Sequence, residues 1–350
     1  MHEAKSKVLI VDDSLFMGQV LKKMLIEENF TVEIARNGKD AIEKLKTFQP
    51  NVITMDVEMP VMSGVEALQI IMEEQPLPVI MVSVQTIRGA EISLRALELG
   101  AFDFVTKPSG EAGFTTETFR RELVAKLKIA CLVPPEKLKR TKQIPKAPEI
   151  TARPIRKTAT NFSVLAIGTS TGGPSALQTI LTQLPRNFPL PILVVQHMPK
   201  NFTKMMAERL NSLCELEVLE AGEGDAIVPG RILIAPGGLQ MVVRKSGQQA
   251  VTHILQEAPI PTPYRPSANV MFTSVAEVFG GSTMAMLLTG MGSDGLEGAK
   301  LLKQRGAYLI AESEETCIVY GMAKCIVDAG IVDQILPLPE IGRFLIHKNM

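Results

Sequence analysis

The strongest constraint on this chain is a rhythm that occurs twice. Short β-branched and aliphatic runs alternate with amphipathic stretches from Lys7 to about Cys131, and a second series begins at Val164. In the first series strands are predicted over Val8–Val11, Thr31–Ala35, Val52–Met55, Val79–Val82 and Phe102–Thr106. Helices are predicted near Ser14–Glu28, Lys39–Thr47, Val65–Glu74 and Arg88–Leu99, with a last one through Leu123 and Leu127. Such βα units specify a parallel sheet covered on both faces, a flavodoxin-like (βα)5 domain whose chemistry belongs at the carboxyl ends of the strands.

The second series predicts strands over Val164–Ile167, Ile192–Val195, Leu216–Leu219, Ile232–Ala235, Met284–Leu288 and Tyr308–Ala311. Met241–Arg244 and Val251–Ile254, separated by a Gly-containing turn, read as a hairpin inserted into it. The expectation is a doubly wound, mostly parallel α/β domain with an inserted hairpin. Between the two series, Pro, Lys and Arg dominate from Pro134 to Thr160, which reads as a solvated, semi-extended tether. The expected organisation is therefore a domain over 5–131, a linker over 132–160 and a second domain over 161–350. A length of 350 residues suits two cores better than one.

Charge narrows the function classes. The 37 basic and 37 acidic side chains cancel, which argues against nucleic acid or an anionic membrane as the main partner. Cys131, Cys214, Cys317 and Cys325 form no CxxC pair and suit a reducing cytosol. No signal peptide or membrane-spanning stretch is read in the sequence, so a cytoplasmic protein is expected.

Asp12 and Asp13 follow the first strand, Asp56 ends the third, Ser83 ends the fourth, and Lys107 with Pro108 follows the fifth. Clustered carboxylates are tolerated where a hard cation such as Mg²⁺ bridges them, and an ammonium with a hydroxyl can hold phosphoryl oxygens. Helix capping alone would account for one carboxylate, not for three with a lysine. In their order and spacing, with Val57-Glu58-Met59-Pro60 and Gly64 after Asp56, these residues resemble the receiver domain of response regulators. The resemblance implies that Asp56 accepts phosphate from a sensor histidine kinase. It also implies that Asp12, Asp13 and Asp56 hold Mg²⁺ with the Val57 carbonyl, that Ser83 and Lys107 sense the phosphoryl group, and that Phe104 is an aromatic that changes rotamer on activation.

In the second series Gly168-Thr169-Ser170-Thr171-Gly172-Gly173-Pro174 passes from a strand into a helix and puts the Ser170 hydroxyl on a tight turn. A Walker phosphate loop is ruled out, because Pro174 stands where its Lys is required. Gln196-His197-Met198-Pro199 ends the next strand and Leu288-Thr289-Gly290-Met291-Gly292-Ser293-Asp294-Gly295 follows a later one. A lone strand-end His is commonly structural, but a serine and an acid at neighbouring strand ends make nucleophile, base and imidazole orienter of Ser170, His197 and Asp294. One rival stands: Gly290, Gly292 and Gly295 spell G-x-G-x-x-G with Glu312 beyond, the pattern of a dinucleotide site. A receiver-controlled DNA-binding output is disfavoured by the absence of a helix-turn-helix pattern and of a basic surface.

With Ala235-Pro236-Gly237-Gly238 and Tyr264-Arg265-Pro266-Ser267, these motifs resemble the catalytic domain of the chemotaxis response-regulator protein-glutamate methylesterases, from about Phe162 onward. The resemblance implies a triad of Ser170, His197 and Asp294 that hydrolyses glutamate γ-methyl esters on the cytoplasmic helices of methylated chemoreceptors. The same tetrahedral chemistry with ammonia as leaving group would deamidate a receptor glutamine. It further implies an oxyanion hole from the N–H groups of Thr171 and Met291, no cofactor in the esterase domain, and a resting state inhibited by the unphosphorylated receiver. Association with the membrane is expected only through protein contacts with receptors. Thr169 stands where the family frequently has Ala, and Gln240 where it often has His; both are expected to bear on substrate detail rather than reaction type.

Overall fold

The structure, a computed structural model, describes residues 5–84, 86–108, 116–134, 137 and 162–349. Two compact units, Met1–Gln143 and Ile144–Met350, divide the chain. The Pro- and Lys-rich tether expected over 132–160 lies outside the described residues, apart from 132–134 and 137.

In the first unit, strands β1 (Lys7–Val11), β2 (Thr31–Ala35), β3 (Val52–Asp56), β4 (Val79–Ser83) and β5 (Asp103–Thr106) alternate with helices α1 (Leu15–Glu27), α2 (Gly38–Phe48), α3 (Gly64–Glu74), α4 (Ile87–Glu98) and α5 (Thr116–Ala130). The strands form one parallel sheet in the order β2-β1-β3-β4-β5. Burial on both faces accounts for the unbroken aliphatic runs: Val8, Leu9, Ile10, Val79, Ile80 and Met81 are all fully buried. Helix starts fall where a side chain can satisfy an orphan N–H: Ser14 accepts from Met17, Asn37 from Asp40, and Ser63 forms a capping box with Glu66. The first residue of α3 is glycine because a Cβ at position 64 would stand 2.0 Å from the Asp56 carbonyl oxygen. The strand order reverses between β1 and β3, so Asp12, Asp13 and Asp56 meet at that switch point.

The second unit contains β6 (Val164–Thr169), α6 (Gly173–Leu181), β7 (Ile192–Gln196), α7 (Phe202–Asn211), β8 (Glu217–Glu220), β9 (Arg231–Ile234), β10 (Gln240–Ser246) and β11 (Gln249–Leu255). It continues with α8 (Ala268–Val278), β12 (Thr283–Leu287), α9 (Leu296–Gln304), β13 (Tyr308–Glu312), α10 (Met322–Asp328), β14 (Gln334–Leu336) and α11 (Leu338–Asn349). A seven-stranded sheet runs in the order β14-β13-β12-β6-β7-β9-β8 and every pairing is parallel. β10 and β11 pair separately and antiparallel, the hairpin expected from sequence. Met241 and Val243 of that hairpin join the core around α8, where the Ser274 hydroxyl accepts the Val243 N–H at 3.0 Å. β6 is central, with β12 on one side and β7 on the other. That order brings three separate stretches of sequence to one carboxyl edge.

Candidate active site

At the carboxyl edge of the first sheet, ligand oxygens of Asp12, Asp13 and Asp56 lie within 4.8 Å of one another. Lys107 Nζ donates to Asp56 Oδ2 at 2.6 Å and to Asp12 Oδ2 at 3.3 Å. Burial pushes the Asp56 carboxyl above its usual value, and the Asp12 charge adds to this against the opposing pull of Lys107. Burial also works against the Lys107 charge, but Asp56 and Asp12 hold its pKa above the ordinary lysine value. All three donors are hard carboxylate oxygens gathered at one strand edge, so their chemistry suits a hard divalent cation with water completing its shell. The Val57 carbonyl, expected in that shell, accepts the Gly64 N–H at 3.1 Å.

The other residues expected around the phosphoryl group hold defined places. Ser83 is buried and its hydroxyl donates to the Gly89 carbonyl at 3.2 Å. Phe104 is buried, with Lys126 Nζ 5.4 Å from its ring centroid and bonded to its carbonyl at 2.6 Å. Lys126 is also paired with Asp103 at 3.2 Å and Glu122 at 2.8 Å.

In the second unit β6, β7 and β12 deliver Ser170, His197 and Asp294 to one edge. The ladder runs past the strand ends: Ser170 N–H donates to the Thr289 carbonyl at 3.1 Å and His197 N–H to the Thr169 carbonyl at 3.1 Å. His197 Nε2 lies 2.7 Å from Asp294 Oδ2, so the imidazole meets the carboxylate through Nε2 rather than Nδ1. Among the described residues no hydrogen bond joins the Ser170 hydroxyl to His197. The bonds of Ser170 run through its backbone, whose carbonyl accepts from Gly173 N–H and from Gln196 Nε2. Such bonds commonly tighten only with substrate present.

Asp294 does more than meet the imidazole. Its carboxylate accepts the Ser267 hydroxyl at 2.7 Å, the Ala268 N–H at 2.6 Å and the Asn269 N–H at 3.1 Å, so it closes the start of α8. Burial by itself would raise its pKa; the bonds from His197, Ser267 and Ala268 outweigh burial and hold the carboxyl below its ordinary value. An anion is therefore fixed beside His197.

Several side chains beyond Ser170, His197 and Asp294 support this arrangement through contacts the sequence did not show. Tyr264 stacks on the His197 ring with centroids 4.4 Å apart and planes 8° apart. Gln240 is fully buried; its Nε2 donates to the Tyr264 carbonyl at 2.7 Å and its Oε1 accepts the Ser267 N–H at 2.9 Å. Thr169 is likewise fully buried, its hydroxyl donating to the Thr289 carbonyl at 2.7 Å. The two departures from the family pattern thus sit inside the scaffold of the site. Thr289 Oγ1 donates to the Thr171 carbonyl at 2.9 Å, and Gly290 brings its backbone so near that a Cβ on it would stand 2.9 Å from Ser170 N and Cβ. Thr171 and Met291, expected to supply the oxyanion hole, flank this approach.

The dinucleotide reading fails on its acid. Glu312 is fully buried and accepts the Thr289 N–H at 2.8 Å and the Thr316 hydroxyl at 3.0 Å, so it cannot face a ribose. The loop from Gly290 to Gly295 instead carries the carboxylate bound to His197.

Comparison with known proteins shows the family of each unit. Residues 165–345 match the family described as CheB methylesterase and residues 8–118 match the response regulator receiver domain. The protein-glutamate methylesterase/protein-glutamine glutaminase of Halalkalibacterium halodurans is 46% identical over 99% of both chains. That of Desulfitobacterium hafniense is 43% identical, again over 99% of each. The crystal structure of the Thermotoga maritima CheB methylesterase catalytic domain matches with a TM-score of 0.52 at 41% identity, covering 53% of this chain and 98% of that one.

Proposed function

The chain belongs to the CheB methylesterase family and carries a receiver domain ahead of the catalytic one, and we propose that it is a phosphorylation-activated protein-glutamate methylesterase acting on methylated chemoreceptors. The observation that carries the reading is the His197–Asp294 pair at the strand edge next to Ser170. In this reading Ser170 Oγ attacks the γ-ester carbonyl while His197 Nδ1 takes its proton. The carbonyl oxygen gathers charge against the N–H groups of Thr171 and Met291. As the tetrahedral centre collapses, the C–OCH₃ bond breaks and His197 returns the proton to the departing methoxide, giving methanol. Water then cleaves the acyl-serine by the same proton path, leaving a glutamate carboxylate and free Ser170. With an amide in place of the ester the leaving group is ammonia, which adds receptor glutamine deamidation. Asp294 fixes the imidazole tautomer and stabilises the imidazolium.

Control resides in the first unit. Asp56 is the phosphoacceptor for a sensor histidine kinase, Lys107 and Ser83 hold the phosphoryl oxygens, and Phe104 responds to the change. Asp12, Asp13 and Asp56 would hold Mg²⁺, with the Val57 carbonyl as a further ligand. When bound, the cation neutralises charge on the phosphoryl group being transferred. Phosphate adds about −1.5 to −2 charge at Asp56, enough to bias a two-state surface. Among the described residues no helix is long and apolar enough to cross a membrane. The reading is tested by methanol release from methylated chemoreceptor membranes with and without a small phosphodonor and Mg²⁺. Release that rises with phosphodonor supports it; no release under either condition overturns it.

A further inference from the structure

An imidazole held by one hydrogen bond can still rock about that bond, because χ2 of histidine is a broad torsion. The bond from Nε2 to Asp294 Oδ2 therefore sets where the His197 ring is anchored, not which way its face turns. The face is set by Tyr264, whose ring lies 4.4 Å away with planes 8° apart. Tyr264 in turn belongs to a short segment tied at both ends by one side chain. The Gln240 amide donates to the Tyr264 carbonyl and accepts the Ser267 N–H, using both its polar atoms in a fully buried position. The same segment returns to the acid, since Ser267 Oγ donates to Asp294 Oδ1 at 2.7 Å. Base and acid are thus both aligned by residues 264–267, which Gln240 holds.

We propose that Tyr264 is a positioning residue for the ester hydrolysis, locking the His197 ring plane so that Nδ1 faces Ser170, and that the Gln240 amide clamp keeps Tyr264 in that place. The proposal rests on the triad reading above. Its physical basis has two parts. A flat aromatic surface on the imidazole removes the rocking freedom that would misdirect Nδ1, and misplacement of a catalytic group by about 1 Å can cost about 100-fold in rate. The ring's negative face also interacts more favourably with an imidazolium than with a neutral imidazole. The contact therefore strengthens as charge develops on His197 and acts in the transition state rather than in substrate binding.

The test uses the full-length, phosphodonor-activated protein and methylated chemoreceptor membranes, with methanol release as the readout. Tyr264→Leu should lower kcat by about 10- to 100-fold with KM within twofold, while Tyr264→Phe, which keeps the stacked ring, should stay within about threefold of wild type. Gln240→Met, which keeps the length of the side chain but not its two bonds, should show the same fall in kcat by a second route. In NMR spectra the His197 ring protons should lose their ring-current shift in Tyr264→Leu and retain it in Tyr264→Phe. If Tyr264→Leu turns over at the wild-type rate while Ser170→Ala is dead, the positioning role is wrong and the triad stands. Equal loss in Tyr264→Phe and Tyr264→Leu would also overturn it, since the stacked ring would then not be what matters. Activity persisting in Ser170→Ala would instead remove the triad reading on which the proposal depends.

Discussion

His197 and Asp294 are 97 residues apart in sequence, yet His197 Nε2 lies 2.7 Å from Asp294 Oδ2. The approach follows from strand order: β7 and β12 flank β6, so the turns after all three strands open on the same edge. The carboxylate is doubly employed, since it also accepts two N–H groups at the start of α8 and the Ser267 hydroxyl.

Asp294→Asn should therefore affect both activity and stability. Loss of the anion that orients the imidazole should lower methanol release by about 10⁴-fold, and disturbance of the buried hydrogen bonds should cost roughly 1–3 kcal/mol. The folded-state pKa of Asp294 lies below its ordinary value of 3.8. The stabilisation it supplies is thus fully present above that value and is lost as pH falls through the lower, folded-state one. Urea unfolding of the catalytic unit at pH 6 and pH 3 should show wild type and Asp294→Asn farther apart at the higher pH; a gap that widens toward acid would contradict this.

Gly290→Ala probes the closeness of the serine and acid turns. A Cβ there would stand 2.6 Å from Met322 Sδ and 2.9 Å from Ser170 N and Cβ. The substitution should move the Ser170 turn and reduce kcat/KM by about 100-fold, while labelling of Asp56 by a small phosphodonor continues. Wild-type turnover by Gly290→Ala would show that the two turns need not touch.

Cysteine chemistry gives an independent check on the nucleophile. Burial pushes the thiols of Cys214 and Cys325 up to about 11. At pH 8 each should carry about a hundredfold less thiolate than an ordinary thiol and react correspondingly slowly with iodoacetamide. Alkylation followed by mass spectrometry should find both largely unmodified and methanol release intact. Rapid loss of activity in step with alkylation of either residue would point to a thiol mechanism.

Asp56→Asn should abolish phosphodonor labelling in the presence of Mg²⁺, because this carboxylate alone combines the end of β3 with a 2.6 Å bond to Lys107 and the neighbouring Asp12 and Asp13. Basal methanol release should persist in this variant without rising on addition of phosphodonor. Undiminished labelling would move the phosphoacceptor elsewhere.

Much of this was legible in the sequence because it is local. Runs such as Val79 to Val82 announce strands buried on both faces, and the meeting of His197 with Asp294 at one sheet edge follows from parallel topology. The strand β14 (Gln334–Leu336) was not legible, since three residues of mixed polarity give no period. The hairpin is longer than its apolar stretches, because Lys245, Ser246 and Gln249 continue the ladder after the buried face has ended. The placement of β8 outside β9 is a tertiary choice that no local pattern encodes. The supporting shell was hidden for the same reason. That Gln240 would tie Tyr264 to Ser267, or that Glu312 would turn inward to Thr289 rather than outward to a ligand, depends on residues brought together only by the fold.

The most direct test of the central claim is methanol release from methylated chemoreceptor membranes by full-length Ser170→Ala, activated by phosphodonor and Mg²⁺ beside wild type. Loss of such a nucleophile should lower turnover by about 10⁴- to 10⁶-fold while Asp56 labelling and the folded state remain as in wild type. A folded, phosphorylatable Ser170→Ala protein releasing methanol at near the wild-type rate would contradict the account.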